Sequence, residues 1–395
     1  MTSTDRISLL KSILGSGEHT DFGIGVVSKN TVDAAISVSQ THNRPLMLIA
    51  SRRQIECNQM GGGYVEKWTT EGFAKYVRGR DQKGLVLLCR DHGGPWQHPV
   101  EWNQNYNEAR ALESAKASFK VDIDSGFDLL HIDTGVSPSG EPPVDVGIER
   151  LIYLYRWCFN YAKSQGRTVA IEIGTEDQRD EAVNSVAFNE LFGAIQTALV
   201  SNHLPLPLFV VAQTGTKVIE DRNIGGFNDP SLRQAISGNI STIVKSLRKN
   251  QVYLKAHNGD YLDDPCVEAF SSLGIGAINI APEFGIQETK SLVQMLDEEG
   301  LVNQRNAFLN LAFNSGKWQK WKEVGHELSR YDCGILAGHY VFSTELARQI
   351  KSNLAKAKHT TDSEIDRRLA QGTANAINRL WNLAGPLFPA KVIAA

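Results

Sequence analysis

The chain has 395 residues, of which 42% are apolar and 22% charged, and its formal net charge is -3. This composition is typical of a globular protein, and the near-neutral balance gives no long-range attraction for nucleic acid or for an anionic membrane. The length fits one barrel of about 250 residues with additions, or two ordinary domains.

The cysteines are scattered along the chain and show no CxxC spacing; they are Cys57, Cys89, Cys158, Cys266 and Cys333. We therefore expect reduced thiols in the core rather than disulfides or a cysteine metal site. No apolar run is long enough to span a bilayer, and the first residues lack the apolar core of a signal peptide. A cytoplasmic protein is expected.

From residue 22 onward, short apolar runs alternate with longer segments of helical periodicity. The predicted strands are 22–28, 45–51, 85–90, 127–133, 169–174, 208–213, 252–257 and 276–281. The predicted helices after them are 31–41, 69–80, 108–119, 144–163, 185–200, 231–247, 265–273 and 288–299. Eight such units in roughly 280 residues predict a (β/α)8 TIM barrel. The alternative is an open doubly wound sheet, but such sheets usually carry a Gly-rich nucleotide loop, and the chain has no GxGxxG.

Beyond residue 300 the sequence shows only helical patterns, over 303–328, 331–352 and 362–383. Gly325 weakens the interior of the first segment, so we expect an interruption near its end. We predict a helical lead-in (1–21), the barrel (22–300) and a C-terminal helical extension (301–395). The extension is expected to pack on the barrel or to form a subunit contact, in a homo-oligomer.

The most informative stretch is 85–95, LVLLCRDHGGP, where an apolar run ends in Arg90, Asp91 and His92. The run shows no polar alternation, which predicts a strand buried on both faces. The carboxyl end of such a strand is where parallel α/β folds bind their ligands. An acid and an imidazole at this position therefore predict a functional site.

The other predicted strands also end in chemically active side chains. Two histidines and several carboxylates among them suit a divalent metal such as zinc, with an open position for a substrate oxygen. The strand-end residues are Ser51, Arg52, Asp91, His92, Asp133, Glu172, Glu176, Gln213, His257, Asp260 and Asn279. His131 lies inside its strand, and we interpret it as a core residue or as a support behind the ligands.

These motifs resemble the class II ketose-bisphosphate aldolase superfamily, and most closely the Z-type (non-catalytic) subunits of tagatose-bisphosphate aldolase. The resemblance runs through most of the chain, and its specific parts are the Asp-His pair at 91–92 and the Ala-His pair at 256–257. The other matching segments are GGGYVEKWTTEGF at 61–73, HIDTGVS at 131–137, EIGTE at 172–176, VVAQTG at 210–215, AINIAPEFG at 277–285 and LAGHYVFS at 336–343.

The resemblance implies that His92 and His257 bind zinc, and that Asp91 handles the proton of the hydroxyl at the cleaved bond. It also implies that Glu172 is an alternate ligand and that Asn279 contacts the triose phosphate part of the substrate.

One position departs from the catalytic members, which carry a third zinc histidine at the end of strand six. This chain has Gln213 there, as do the Z-type subunits. Glutamine is a weak zinc ligand, so either a carboxylate completes the site or the affinity is low. The Z-type subunits support a catalytic aldolase subunit, which makes such a chain an expected partner.

We therefore predict aldol cleavage of phosphorylated ketoses such as tagatose bisphosphate, with Zn2+ or another divalent metal as cofactor. Asp91 is the expected acid/base, and Glu176 is the candidate for the carbon acid. Arg52, Asp133 and Asp260 are expected to contact the substrate.

Two alternatives stay open. A non-catalytic barrel subunit would stabilise a separate aldolase chain through an exposed apolar interface, most plausibly the aromatic tail. A sugar-phosphate isomerase or epimerase would use the same residues, because enediolate chemistry serves both reactions. Lys255 lies inside predicted strand seven and is a weak candidate for a Schiff base.

Overall fold

The computed structural model describes residues 1–17, 19–174 and 182–385. Eight parallel strands close into a barrel in the order β1-β10-β9-β6-β5-β4-β3-β2. The strands, numbered along the chain, are β1 Asp21–Gly25, β2 Leu46–Ser51, β3 Val86–Gly93, β4 Leu129–Asp133, β5 Ala170–Gly174, β6 Phe209–Val211, β7 Val218–Ile219, β8 Arg222–Asn223, β9 Tyr253–Ala256 and β10 Ala277–Ile280. The predicted (β/α)8 TIM barrel with C-terminal helices is therefore confirmed.

Helices surround the barrel and continue into the extension. Their bounds are α1 Ser3–Ser16, α2 Lys29–His42, α3 Thr70–Arg80, α4 Pro99–Asn103, α5 Glu108–Asp124, α6 Val144–Ser164, α7 Ser185–Ser201, α8 Pro230–Arg248, α9 Asp264–Leu273, α10 Pro282–Glu298, α11 Val302–Asn314, α12 Arg330–Ala337, α13 Glu345–Ala357 and α14 Asp362–Leu383. None of the described helices combines the length and the apolar character that a membrane span needs.

The barrel strands form where the sequence has short apolar runs, because both faces of each strand are covered. β2, for example, is buried at every residue before Ser51. Apolar interior-facing side chains of the strands form one cluster with Ile7, Leu10 and Leu14 of α1. This helix closes the amino end of the barrel, where Arg6 pairs with Asp128 at 2.8 Å, just before β4. Since the amino end is sealed, ligands reach the interior from the carboxyl ends of the strands.

The extension is attached to the barrel mainly through α10 and α14. Trp381 of α14 is buried in the layer between the strands and the outer helices. Its ring meets His42 edge-on at 5.6 Å, and the Arg44 guanidinium lies over it at 4.6 Å. The outward face of α10 and the helices α11 to α14 share a second apolar cluster.

The helices of the C-terminal extension end at other positions than those predicted. The first tail helix ends at Asn314 rather than near Gly325, because Gly316 takes a left-handed backbone with φ 66° and a short 3-10 turn, Lys317–Lys320, follows. The segment 331–352 divides into α12, a 3-10 turn at Gly338–Tyr340, and α13. The antiparallel hairpin of β7 and β8 was not predicted, since strands of two residues are too short to show an alternation of apolar and polar side chains.

Candidate active site

The carboxyl ends of the barrel strands surround a cavity of about 570 Å³. Its floor includes Asp91, His92, Asp133, His257 and Asn279. Its outer part is lined by residues of the loop after β2 and of the C-terminal extension. The predicted strand-end residues therefore meet largely in one place, at the end of the barrel where such folds hold their active sites.

Two hydrogen bonds to residues of β4 orient His92, which lies near the end of β3. Its Nδ1 donates to Oδ2 of Asp133 at 2.8 Å, which leaves Nε2 as the basic nitrogen of the ring. Its backbone N–H donates to Nδ1 of His131 at 3.2 Å. His92 has φ 43°, an unfavourable value for a residue with a Cβ. The two contacts hold that conformation, as is common at functional sites.

Three imidazoles surround one point at the floor. The ring centroids of His92, His131 and His257 lie 5.3, 5.1 and 5.4 Å apart, taken pairwise. With metal–nitrogen bonds of about 2.1 Å, three imidazoles in a tetrahedral site have centroids roughly 5 Å apart. The rings therefore have the spacing that a metal site needs, and the ligand atoms of His131 and His257 are among those that can reach one ion.

Two carboxylates complete the cluster. Oε1 of Glu172 lies 3.6 Å from Nδ1 of His131 and 3.4 Å from Nε2 of His257. Oδ1 of Asp91 lies 3.7 Å from the same His131 atom and 4.0 Å from the same His257 atom. Ligand atoms in a tetrahedral zinc site are about 3.4 Å apart. Asp91, His131, Glu172 and His257 thus form a group able to hold a metal ion.

The electrostatics of the floor also favour a cation. Burial acts to raise the pKa of Glu172, but the charge of Lys255, whose Nζ lies 2.7 Å from Oε2, and that of His131 bring it down to about 2. Burial is likewise outweighed at Asp91, whose neighbouring imidazoles hold its pKa well below the ordinary range. With Asp133 also ionised, three carboxylates face one lysine. When the imidazoles are neutral, as metal ligands are, these carboxylates exceed Lys255 by two negative charges, which matches a divalent ion.

Asn279 and Asp260 are placed beside this cluster. The Asn279 amide donates to Oδ1 of Asp91 at 3.2 Å, which orients the carboxylate. Oδ1 of Asp260 accepts the backbone N–H groups of Ala281 and Glu283, both at 2.9 Å, at the start of α10. Burial and the charge of Glu283 raise the pKa of Asp260 to about 7. Both residues line the cavity, and their contact with a substrate stays a prediction.

Two predicted site residues do not reach the floor. Arg52 is fully buried and pairs with Glu56 and Glu101, the latter at 2.6 Å, so its guanidinium is not available to a substrate. The side-chain oxygen of Gln213 accepts the backbone N–H groups of Gly215 and Thr216, at 3.0 and 3.2 Å. It therefore stabilises its own loop. Glu176, the predicted carbon acid, lies outside the described residues.

His131 is the residue that the sequence argument undervalued. Alternate residues of a strand point to the same face, so His131 must share the interior face with Asp133, which was recognised as a site residue. Gly174 on the neighbouring strand confirms the direction, because a Cβ there would lie 2.5 Å from Nε2 of His131. The alternation of side chains along residues 131–133 (HID) was the sequence signal that could have placed His131 in the site.

No family model matches the chain, and no curated protein matches it significantly. Solved structures do share its fold. A protein described as a probable tagatose 6 phosphate kinase from Sinorhizobium meliloti 1021 superposes with a TM-score of 0.65 at 16% identity, over 92% of this chain and 100% of that one. Fructose-bisphosphate aldolase from Campylobacter jejuni gives 0.54 at 12% identity, over 97% and 96%. The fructuronate-tagaturonate epimerase UxaE from Cohnella laeviribosi gives 0.57 at 11% identity, over 93% and 81%.

These likenesses, at such low identity, establish the fold. The chain is a (β/α)8 barrel, and its carboxyl-end cavity carries a cluster of histidines and carboxylates able to hold a metal ion.

Proposed function

We propose that this chain is a metal-dependent enzyme of the class II aldolase type, which cleaves phosphorylated ketoses with zinc or another divalent cation. One observation carries the proposal: the side chains of Asp91, His131, Glu172 and His257 can reach one ion at the floor of the cavity, and the His92 ring lies beside them. The resemblance of the strand-end motifs to class II aldolases gives the reaction type.

His92, His131 and His257 are the proposed ligands, with Oε1 of Glu172 on the fourth side. Lys255 holds the other oxygen of Glu172 and thereby fixes the direction of the carboxylate. A divalent ion at this point supplies a Lewis acid that polarises a substrate carbonyl. Since Nδ1 of His131 accepts the His92 backbone N–H, an ion would compete with that amide for the ring nitrogen.

Asp91 is the proposed acid/base. Its carboxylate is ionised at neutral pH and lies within the group able to hold the ion, where it can accept the proton of the hydroxyl at the cleaved bond. Asn279 orients it by donating to Oδ1. Glu176 keeps the proposed role of carbon acid.

The test is metal content together with aldol cleavage of a panel of ketose phosphates, with and without chelator. We expect about one divalent ion per chain and cleavage that the chelator abolishes. His257→Ala should lose the ion. Asp91→Asn should keep it and lose cleavage by about 10²-fold or more, because an amide cannot accept the proton.

A metal-free, inactive chain would contradict the proposal. It would favour the non-catalytic alternative. The hydrogen bonds that tie the Gln213 side chain to its own loop, away from the metal cluster, also support that alternative. Activation of a separate catalytic aldolase subunit would then be measured. Metal-dependent formation of isomeric or epimeric sugars without cleavage, followed by NMR, would instead identify an isomerase or epimerase.

A further inference from the structure

One side of the cavity mouth is supplied by the C-terminal extension and not by the barrel. This extension wall consists of Ser315, Lys317, Lys320, Trp321, His339 and Tyr340. It exists because α11 ends at Asn314 and Gly316 turns the backbone into the 3-10 turn Lys317–Lys320. The extension therefore shapes the entrance through which a substrate must pass.

Three cations line this mouth. They are Arg53, in the loop after β2, and Lys317 and Lys320 of the extension wall. Among the described residues, none of the three forms an ion pair with a carboxylate, whereas the extension's Lys351 and Lys358 are both paired. The acids of the floor are engaged with histidines, with Lys255 or with backbone amides. The mouth is therefore positive while the floor is negative.

The Lys320 side chain reaches solvent, yet the walls of the mouth remove much of its hydration. This desolvation, together with the charges of Arg53 and Lys317, lowers the pKa of Lys320 to about 8. Like charges held this close repel one another, and a bound anion would relieve the repulsion.

Lys320 lies on a wall that several contacts hold in place. Nζ of Lys320 lies 4.2 Å from the Trp321 ring, and Nε1 of Trp321 donates to the Tyr340 hydroxyl at 3.2 Å. Tyr340 packs against Tyr64 at 4.9 Å. The Trp321 carbonyl accepts the backbone N–H of Glu220 at 2.8 Å, which ties the turn to the β7–β8 hairpin. Preorganised cations lose little entropy on binding.

A buried, neutral histidine belongs to the same wall. His339 is 3% exposed, and its Nδ1 has no hydrogen-bond partner in the described part of the chain. Burial and the charge of Lys320 lower the pKa of His339 to about 3, so the ring is neutral at physiological pH. The Nδ1 side of the ring packs against Gly285 of α10, where a Cβ would lie 2.7 Å from Nδ1, so His339 supports the wall and leaves the charge of the mouth to the three cations.

From these observations we infer that Arg53, Lys317 and Lys320 form a phosphate subsite, which binds the phosphate group of the substrate that lies far from the metal-bound end. The inference rests on the proposed function and deepens it, because it assigns the terminal phosphate to the C-terminal extension. Three cations suit a phosphate monoester, which carries nearly two negative charges at neutral pH, better than a carboxylate, which carries one. The carboxylate of a sugar acid is the competing source of the same anionic chemistry.

The experiment is calorimetric titration of the full-length chain with inorganic phosphate and, separately, with glucuronate. We expect phosphate to bind more tightly than glucuronate. Lys317→Gln and Lys320→Gln should each weaken phosphate binding about tenfold, the loss of one charged hydrogen bond. Arg53→Gln should act in the same direction.

The matched control is Lys249→Gln. Lys249 is exposed and follows α8 at the amino end of the barrel, far from the mouth, so this variant should bind phosphate as the wild type does. Metal content and melting temperature should be unchanged in all four variants. Unchanged phosphate affinity in the lysine variants, or tighter binding of glucuronate, would overturn the inference.

Phosphate binding is measured without turnover, so the two proposals can fail separately. If the wild type cleaves no ketose phosphate but binds phosphate, and the variants lose that binding, the subsite is supported and the aldolase is rejected. Chelator-sensitive cleavage that keeps its KM in Lys317→Gln and Lys320→Gln would support the aldolase and reject the subsite.

Discussion

At the scale of single residues, Arg52 and Arg53 are neighbours in the sequence but have different roles. Arg52 is buried among Glu56, Glu101 and the Gly94 carbonyl, whereas Arg53 is exposed at the cavity mouth. The direction of each side chain follows from the turn after β2, which sends the first inward and the second outward. Charge type alone could not separate the two roles.

Arg52→Gln should destabilise the fold by about 3–5 kcal/mol, because it leaves two buried carboxylates without their cation. Arg53→Gln should change the free energy of unfolding by less than about 0.5 kcal/mol, as surface substitutions usually do. Urea denaturation of both variants tests the contrast. Equal stability of the two would show that the buried network around Arg52 contributes nothing.

A second residue-scale prediction concerns Glu288 of α10, which accepts hydrogen bonds from Ser28 and from Asn30. Burial raises the pKa of Glu288 from 4.5 to about 7. Between these pH values the folded chain holds a proton that the unfolded chain has released. The stability contributed by this group is therefore present below about pH 4.5 and lost as the pH rises to about 7.

Glu288→Gln keeps both hydrogen bonds and removes the titration. The variant should gain about 3 kcal/mol over the wild type at pH 8 relative to pH 4, the free-energy equivalent of the raised pKa. Denaturation at several pH values measures the difference. A constant gap between the two proteins across this range would show that Glu288 titrates normally.

At the scale of elements, α14 joins the extension to the barrel. Its buried face packs on α2 and α10, and Trp381 lies 2% exposed between the strands and the helices. The extension wall depends on this attachment, since the tail from α11 to α14 shares its apolar cluster with α10.

Trp381→Ala should cost about 3–5 kcal/mol, because it removes a large side chain from a packed core. Trp102→Ala is the matched control, since Trp102 is 38% exposed, and its cost should stay below about 1 kcal/mol. Thermal unfolding would show the difference. A small loss in Trp381→Ala would mean that α14 is held to the barrel by other contacts.

At the scale of the whole molecule, one cavity has a negatively charged floor and a positively charged mouth. The floor is set by β3, β4 and β5, which are consecutive in the closed sheet, and by β9, which is distant in sequence but is separated from β5 only by β6. Uncompensated carboxylates there repel one another, so a bound cation should stabilise the fold as well as serve the chemistry.

Removal of metal by EDTA and dialysis should lower the melting temperature by several degrees, because binding to the folded state alone adds to its stability. Readdition of zinc should restore it. In His257→Ala neither treatment should shift the melting temperature. A chelator effect of equal size in this variant would place the metal elsewhere.

The amino-acid sequence by itself determined the eight strands, their order along the chain and most of their carboxyl-terminal residues. Apolar runs and helical periods are local properties, and a barrel brings all its strand ends together whatever loops connect them. The helix 362–383 was predicted at the bounds the structure shows, since its apolar stripe is long and regular.

Only the tertiary structure decided which strand-end groups meet. In the folded chain His131, and not the predicted Gln213, belongs to the metal cluster. Likewise Arg53, and not the predicted Arg52, lines the cavity mouth. The tertiary structure also brought Lys317 and Lys320 to the cavity across more than 200 residues of sequence separation from Arg53. Side-chain direction in loops and turns depends on contacts made after the chain closes, and no local pattern in the sequence records them.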